Sequence, residues 1–272
     1  MTIQQALDFA EPKLKHAGIQ SFKLDAGLLL CNVLNKSREY LIANQEIKLT
    51  TGETQLYKEH ISRRTDREPL CYITNDIEFY GRNFFVDKRV LAPRVETETI
   101  VENVIKYAPS NSRLIDIGTG SGAIAISIAI SRPDLEITAT EISAGALEVA
   151  KINAKRLRVD NKIKFIHSDL FSDVSGKYET VVTNLPYVSY DNVDKMKPEV
   201  KNEPSIALYG GSGDGLDLYR KFYEQLPNYL SSKARVYHES DPWQHNALIE
   251  LAQSVGLKPI LEDYFILGFS TR

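Results

Sequence analysis

The chain has 272 residues, 43% of them apolar and 25% charged, with a formal net charge of −3 and a pI of about 6.0. This balance excludes a disordered chain, and the mild acidity argues against a dedicated nucleic-acid binder, whose footprint is a basic domain. Two cysteines, Cys31 and Cys71, are too few for a disulfide framework and point to a reducing cytoplasm. No Cys/His spacing suits a metal, so none is expected. Residues 1–14 lack a basic stretch followed by an apolar one, so no signal peptide is expected. The apolar cluster Leu28-Leu29-Leu30-Cys31 is too short to span a bilayer.

Residues 1–72 read as a small helical domain. Ile3, Ala6, Leu7, Ala10 and Leu14 recur at helical spacing before Gly18, and Leu24, Leu28, Leu29, Cys31 and Val33 carry a second helix. Further helices start near Ser37 and Thr51. After Pro69 the texture changes: Tyr72-Ile73, Ile77–Tyr80 and Asn83–Val86 are aromatic and β-branched, with Gly81-Arg82 and Asp87-Lys88 as turns. That is hairpin chemistry, and residues 73–92 read as a connector. From residue 93 to 272 strands and helices alternate. Leu114–Ile117, Glu136–Thr140, Lys162–Ile166, Thr180–Thr183 and Ala234–His238 are strands, and two more are expected near Lys258–Leu261 and Tyr264–Phe269. The alternation predicts an α/β fold with a mostly parallel sheet and a ligand site at the carboxyl ends of its strands.

Two such ends are distinctive. Asp116-Ile117-Gly118-Thr119-Gly120-Ser121-Gly122 follows the first strand, and its glycines allow a tight turn and close approach of a ligand to the next helix. The turn alone fits a dinucleotide as well as S-adenosylmethionine, because Gly118-x-Gly120-x-x-Ala123 satisfies the nicotinamide pattern. The acids favour the sulfonium cofactor. Asp116 can face its ammonium, where a pyrophosphate would be repelled. Glu141 can accept both ribose hydroxyls, at about 1.5–3 kcal/mol per charge-assisted bond. Asp169 can accept from the adenine amino group while Leu170 or Phe171 covers the ring, although Asp169 also suits a helix N-cap and Glu141 a solvated strand end.

The second distinctive end is Asn184-Leu185-Pro186-Tyr187, after Thr180–Thr183. An amide nitrogen is a poor nucleophile because its lone pair is delocalised, so a site that methylates it must hold both N–H groups. Asn184 offers a side-chain carbonyl and Leu185 a peptide carbonyl. Pro186 biases Leu185 towards extended backbone, and Tyr187 can lie against the planar group. A plain strand-to-turn junction is the alternative.

Together these residues resemble a class I S-adenosylmethionine-dependent methyltransferase. The whole chain resembles the bacterial peptide chain release factor N5-glutamine methyltransferases. The resemblance extends through Glu68-Pro69-Leu70, Glu78–Gly81, Val90–Arg94 with Glu96-Thr97-Glu98, Glu203-Pro204 and Gly210-Gly211-x-Gly213-Asp214-Gly215-Leu216. It implies a Rossmann-like fold with S-adenosylmethionine held by Asp116, Gly118–Gly122, Glu141, Asp169, Leu170 and Asn184. It also implies a protein substrate, the glutamine of the Gly-Gly-Gln tripeptide in class I release factors, held by Asn184–Tyr187 with Arg94 and Glu203. The chain departs from the family at Leu185, where proline is usual, and at Leu170, where an aromatic is usual and Phe171 is the compensating ring.

Arg94 can orient the cofactor entrance or pair with Glu96 or Glu98, and His238 reads as structural. The long connection from Asp191 to Gly215 is expected to face substrate. A nucleic-acid amino-methyltransferase and a non-catalytic binding module remain as other readings, and no direct nucleic-acid partner is expected.

Overall fold

The computed structural model describes residues 1–271. Contacts divide the chain into two compact units, Met1–Asp76 with Lys197–Asn202, and the remainder. The first unit holds α1 (Ile3–His16), α2 (Phe22–Leu34), α3 (Arg38–Ala43), α4 (Thr51–Thr65) and α5 (Leu70–Thr74). Thr2 with Gln5 and Thr50 with Glu53 form capping boxes, which satisfy first-turn N–H groups that have no partner inside the helix. Ile3, Ala6, Leu14, Leu29, Tyr57 and Ile61 meet in the core.

A buried charge cluster crosses this unit. Arg64 Nε donates to Asp25 at 2.8 Å and Arg64 Nη2 to Glu199 at 3.0 Å. Arg67 reaches Glu199 at 2.8 Å. Glu199 comes from the distant stretch Lys197–Asn202, which explains why that stretch packs with the helices.

Tyr72-Ile73 departs from the hairpin reading. Both residues are buried in α5, which starts after Pro69 and ends at Asn75 in the left-handed region. The aromatic and β-branched composition yields there to burial in the bundle.

The second unit opens with the hairpin β1 (Ile77–Phe79) and β2 (Arg82–Phe84). Ile77 pairs with Phe84 and Phe79 with Arg82, so the two-residue turn is Tyr80-Gly81, one residue earlier than expected. Both carry positive φ, 50° and 68°, as a hairpin turn matched to strand twist requires.

The main elements follow as α6 (Glu98–Tyr107), β3 (Arg113–Ile117), α7 (Ala123–Ser131), β4 (Glu136–Glu141), α8 (Ala144–Arg156), β5 (Ile163–His167) and β6 (Tyr178–Thr183). Then come β7 (Val188–Ser189), β8 (Tyr209–Gly211), α9 (Asp217–Gln225), β9 (Leu230–Glu239), α10 (His245–Ser254), β10 (Lys258–Glu262) and β11 (Ile266–Ser270). Seven strands form one sheet in the order β10-β11-β9-β6-β3-β4-β5. It is parallel from β9 to β5, with β11 and β10 antiparallel at one edge.

Residues 123–129 of α7 are all buried, as expected of a helix apolar on every side. α6 and α9 lie where the sequence reading assigns no element. α9 buries Tyr219, Phe222 and Tyr223 at helical spacing. The connection 191–215 contains short 3-10 turns and β8, which pairs with the preceding β7, rather than open loop. No helix among the described residues is long and apolar enough to cross a membrane.

Replacing Asp25 by Ala leaves Arg64 buried with Glu199 as its remaining carboxylate. Loss of one partner from a buried pair costs about 3–5 kcal/mol, and Glu199 keeps the expected loss near the lower end. Urea unfolding of Asp25→Ala against the parent chain measures it.

Candidate active site

The chain runs β3, β4, β5 to one edge and returns to place β6 on the other side of β3. This is the switch in strand order where parallel sheets open a crevice. A cavity of about 680 Å³ lies there, and its wall includes Gly118–Ser121, Glu141, Asp169, Leu170, Asn184, Leu185, Pro186 and Arg94.

The turn after β3 is held by backbone and by acids. Gly118 N and Thr119 N both donate to Thr140 O at 2.9 Å. Gly118, Gly120 and Gly122 have φ of 72°, 56° and 82°, a region that favours glycine. Gly120 N donates to Glu141 Oε2 and Ser143 N to Glu141 Oε1, each at 2.9 Å. Glu141 is buried, and desolvation raises its pKa despite these donors. Asn153, fully buried on α8, donates to Ser121 O at 2.9 Å and accepts from Phe85 N at 2.7 Å, tying the turn to the end of the hairpin.

Asp116 differs from its expected role. Its side chain is fully buried and is not among the cavity-lining residues. Its Oδ2 accepts from Thr119 Oγ1 at 2.7 Å, so it acts on the shape of the turn. Burial pushes its pKa up to about 7, against the Thr119 hydrogen bond.

Beyond β5, Asp169 is exposed and lines the cavity, and no helix follows for it to cap. Leu170 lines the cavity with φ of 49°, a left-handed conformation that is uncommon for leucine. Phe171 turns the other way. It stacks on Tyr229 at 4.5 Å and Phe222 at 5.7 Å inside the core, so Leu170 and not Phe171 covers the cavity.

Asn184 and Glu141 share one cavity wall. Asn184 Nδ2 donates to Thr97 Oγ1 at 3.2 Å. Thr97 Oγ1 in turn donates to Glu239 Oε2 in a short hydrogen bond. Tyr187 is outside the lining residues; its hydroxyl donates to Glu239 Oε1 at 3.1 Å. Burial, with Glu239 beside it, raises the Tyr187 pKa. Leu185 is buried, and a Cβ on Gly118 would stand 3.2 Å from Leu185 Cδ2.

Gly210 and Gly215 press on the tetrapeptide from behind. A Cβ at Gly210 would overlap the Gly215 and Pro186 carbonyls, and one at Gly215 the Tyr187 carbonyl. Gln244 Nε2 donates to Tyr187 O at 2.8 Å and Asp214 O at 2.7 Å, joining the two segments.

Arg94 pairs with Glu203 at 2.6 Å rather than with Glu96 or Glu98, and Glu98 instead accepts from Tyr80 N. Glu203 is buried behind Arg94 and is not among the lining residues; burial raises its pKa while Arg94 opposes the rise. His238 is fully buried against the Tyr223 hydroxyl at 2.8 Å, and desolvation lowers its pKa to about 3. Among the described residues no group of three or more His, Cys, Asp or Glu could hold a metal. Sequence reasoning missed Glu239, although it ends a strand just as Glu141 does. It also missed Thr97, Asn153 and the stacked Tyr190–Tyr209 pair at 5.0 Å on the cavity wall.

Residues 95–199 match the family model Methyltransferase small domain, and residues 5–74 match PrmC N-terminal domain. A methyltransferase from Pyrococcus furiosus shares the fold, with a TM-score of 0.53 and 17% identity over 71% of this chain and 90% of that one. Strand order, cavity and family model together define a class I, Rossmann-like methyltransferase.

A release factor glutamine methyltransferase of Koribacter versatilis is 41% identical over 235 residues, covering 85% of this chain and 83% of the relative. A bifunctional methyltransferase of Rickettsia bellii is 36% identical over 268 residues, and the chain spans 48% of its length. The chain belongs to the release factor glutamine methyltransferase family.

The raised Asp116 carboxyl keeps in the folded chain a proton that the unfolded chain releases from about pH 4 upward. Stability is therefore lost as pH rises towards 7. Asp116→Asn cannot ionise, so its melting temperature relative to the parent chain is expected to improve between about pH 5 and about pH 8. Thermal melts at both pH values check the sign. Gly210→Ala must displace two backbone carbonyls, one of them in the tetrapeptide. The expected result is a loss of about 1–3 kcal/mol in unfolding experiments.

Proposed function

We propose that the chain transfers a methyl group from S-adenosylmethionine to the side-chain amide nitrogen of the glutamine in the Gly-Gly-Gln tripeptide of class I release factors. One observation carries the reading: Glu141 with the glycine turn, and Asn184-Leu185-Pro186, line the same cavity in a chain of this family.

The residues fit the cofactor. Each Glu141 oxygen already accepts one backbone N–H and retains a lone pair for a ribose hydroxyl. The Gly118–Gly122 turn admits close approach of the amino-acid end, and Asp169 and Leu170 suit the adenine. Bound there, the cofactor supplies an electrophilic methyl carbon.

Asn184 Oδ1 and the Leu185 carbonyl accept the two hydrogens of the substrate carboxamide and aim its nitrogen. Holding reactants in near-attack geometry lowers barriers by about 7–11 kcal/mol in favourable cases, which suits a nucleophile as weak as an amide. No general base is required, because the nitrogen becomes acidic once it is methylated and cationic. Arg94, fixed by Glu203, stands at the cavity where the substrate backbone would pass. The helical unit is read as the part that engages the release factor.

The test is incubation with a release factor and a methyl-labelled donor, followed by mapping of the label. Label on the tripeptide glutamine is expected, and label elsewhere refutes the assignment. Asn184→Ala is expected to lower turnover on the order of 10²-fold or more while retaining measurable cofactor binding. Undiminished turnover would remove Asn184 from the mechanism.

A further inference from the structure

A carboxamide has nearly the same shape in both of its flips, but only one flip of Asn184 offers an acceptor to the cavity. The surroundings decide between them. Asn184 Nδ2 donates to Thr97 Oγ1 at 3.2 Å, and Thr97 spends its single proton on Glu239 Oε2. Glu239 is 3% exposed at the end of β9 and Thr97 is 4% exposed. The other Glu239 oxygen accepts from the Tyr187 hydroxyl at 3.1 Å.

An ionised carboxylate accepts hydrogen bonds and donates none. With Glu239 in that form Thr97 points its proton at Oε2, its oxygen is left to accept from the other side, and Asn184 turns its NH₂ group towards it. The direction of the whole chain is set at Glu239, which does not itself line the cavity. Burial raises the Glu239 pKa, and the Thr97, Tyr187 and Asn184 donors act against that rise. Low local dielectric strengthens such a chain of hydrogen bonds.

We infer that Glu239 and Thr97 are positioning residues that lock the Asn184 carboxamide with Oδ1 facing the cavity, so that the site selects a substrate presenting N–H donors. The same carboxylate anchors Tyr187, so both ends of the tetrapeptide are held from one point. This inference rests on the reading of Asn184 as the holder of a substrate amide.

Thr97→Val keeps the shape of the side chain and removes the hydroxyl, while Thr97→Ser keeps the hydroxyl and removes a methyl. In steady-state methyl transfer to a release factor, Thr97→Val is expected to lower kcat about tenfold, the scale of one lost hydrogen bond. KM for the release factor and cofactor affinity by calorimetry are expected to stay close to the parent's. Melting temperature is expected to fall because Glu239 loses a buried donor, and Thr97→Ser is expected to restore most of kcat and of the melting temperature. Unaltered kcat in Thr97→Val, or equal loss in both variants, overturns the inference.

Hydrogen exchange of the Asn184 side-chain NH₂ in the unmodified chain tests the same point without any variant. Slowed exchange is expected, and exchange as fast as that of an exposed asparagine overturns the relay. Failure of the unmodified chain to methylate any release factor counts against the functional reading, whereas normal transfer with an indifferent Thr97→Val counts against the relay.

Discussion

The parallel pairing of β3 with β6 governs the site. Ile117 lies opposite Thr183, and the Thr183 hydroxyl donates to Ile117 O at 2.7 Å, so the two strands end together. The glycine turn leaves one end and Asn184 leaves the other. Residues 66 positions apart in sequence thus meet through strand pairing and the Thr183 hydroxyl. β4 completes the arrangement on the far side of β3, where Glu141 closes on Gly120. A site whose work is positioning gains from this platform, since a misplacement of about 1 Å can cost on the order of 10²-fold in rate.

Three buried carboxylates stand where sheet strands finish, and each has a different task. Asp116 takes the Thr119 hydroxyl and shapes the turn without reaching the cavity. Glu141 takes two backbone N–H groups and remains on the cavity wall. Glu239 takes two hydroxyls and stands behind the tetrapeptide. Burial raises the pKa of all three, and local donors act against it. Their roles are separated by the donors that reach them, not by residue type.

That distinction explains what the sequence made legible. The glycine turn and Asn184–Tyr187 are local patterns attached to apolar strands, and the βα alternation that places them at strand ends is a repeated signal. The parallel sheet and its class follow from the same periodicity. The partners of an acid are not local. Thr97 and Glu239 are 142 residues apart, and nothing in either neighbourhood announces the hydrogen bond between them. Arg94 has two acids within four residues yet pairs with Glu203, 109 residues away. Composition misleads for a related reason: Tyr72-Ile73 looks like strand, and Phe171 looks like a ring cover, until tertiary burial decides their direction.

Leu185, at a position where the resemblance implies a proline, shows how one restraint can stand in for another. A proline ring fixes φ through its own covalent structure. Leu185 has no such restriction, but its side chain is 3% exposed and reaches Gly118 on the neighbouring turn. Moving φ would pull an isobutyl group out of a packed core, at about 1.5–3 kcal/mol for full exposure. Pro186 still limits Leu185 from the following position. Gly210 and Gly215 block the backbone from behind, where no Cβ could fit. Leu185 is therefore restrained by the burial of its own side chain and by the proline that follows it rather than by a ring of its own, and the contact with Gly118 couples the tetrapeptide to the turn across the β3–β6 junction.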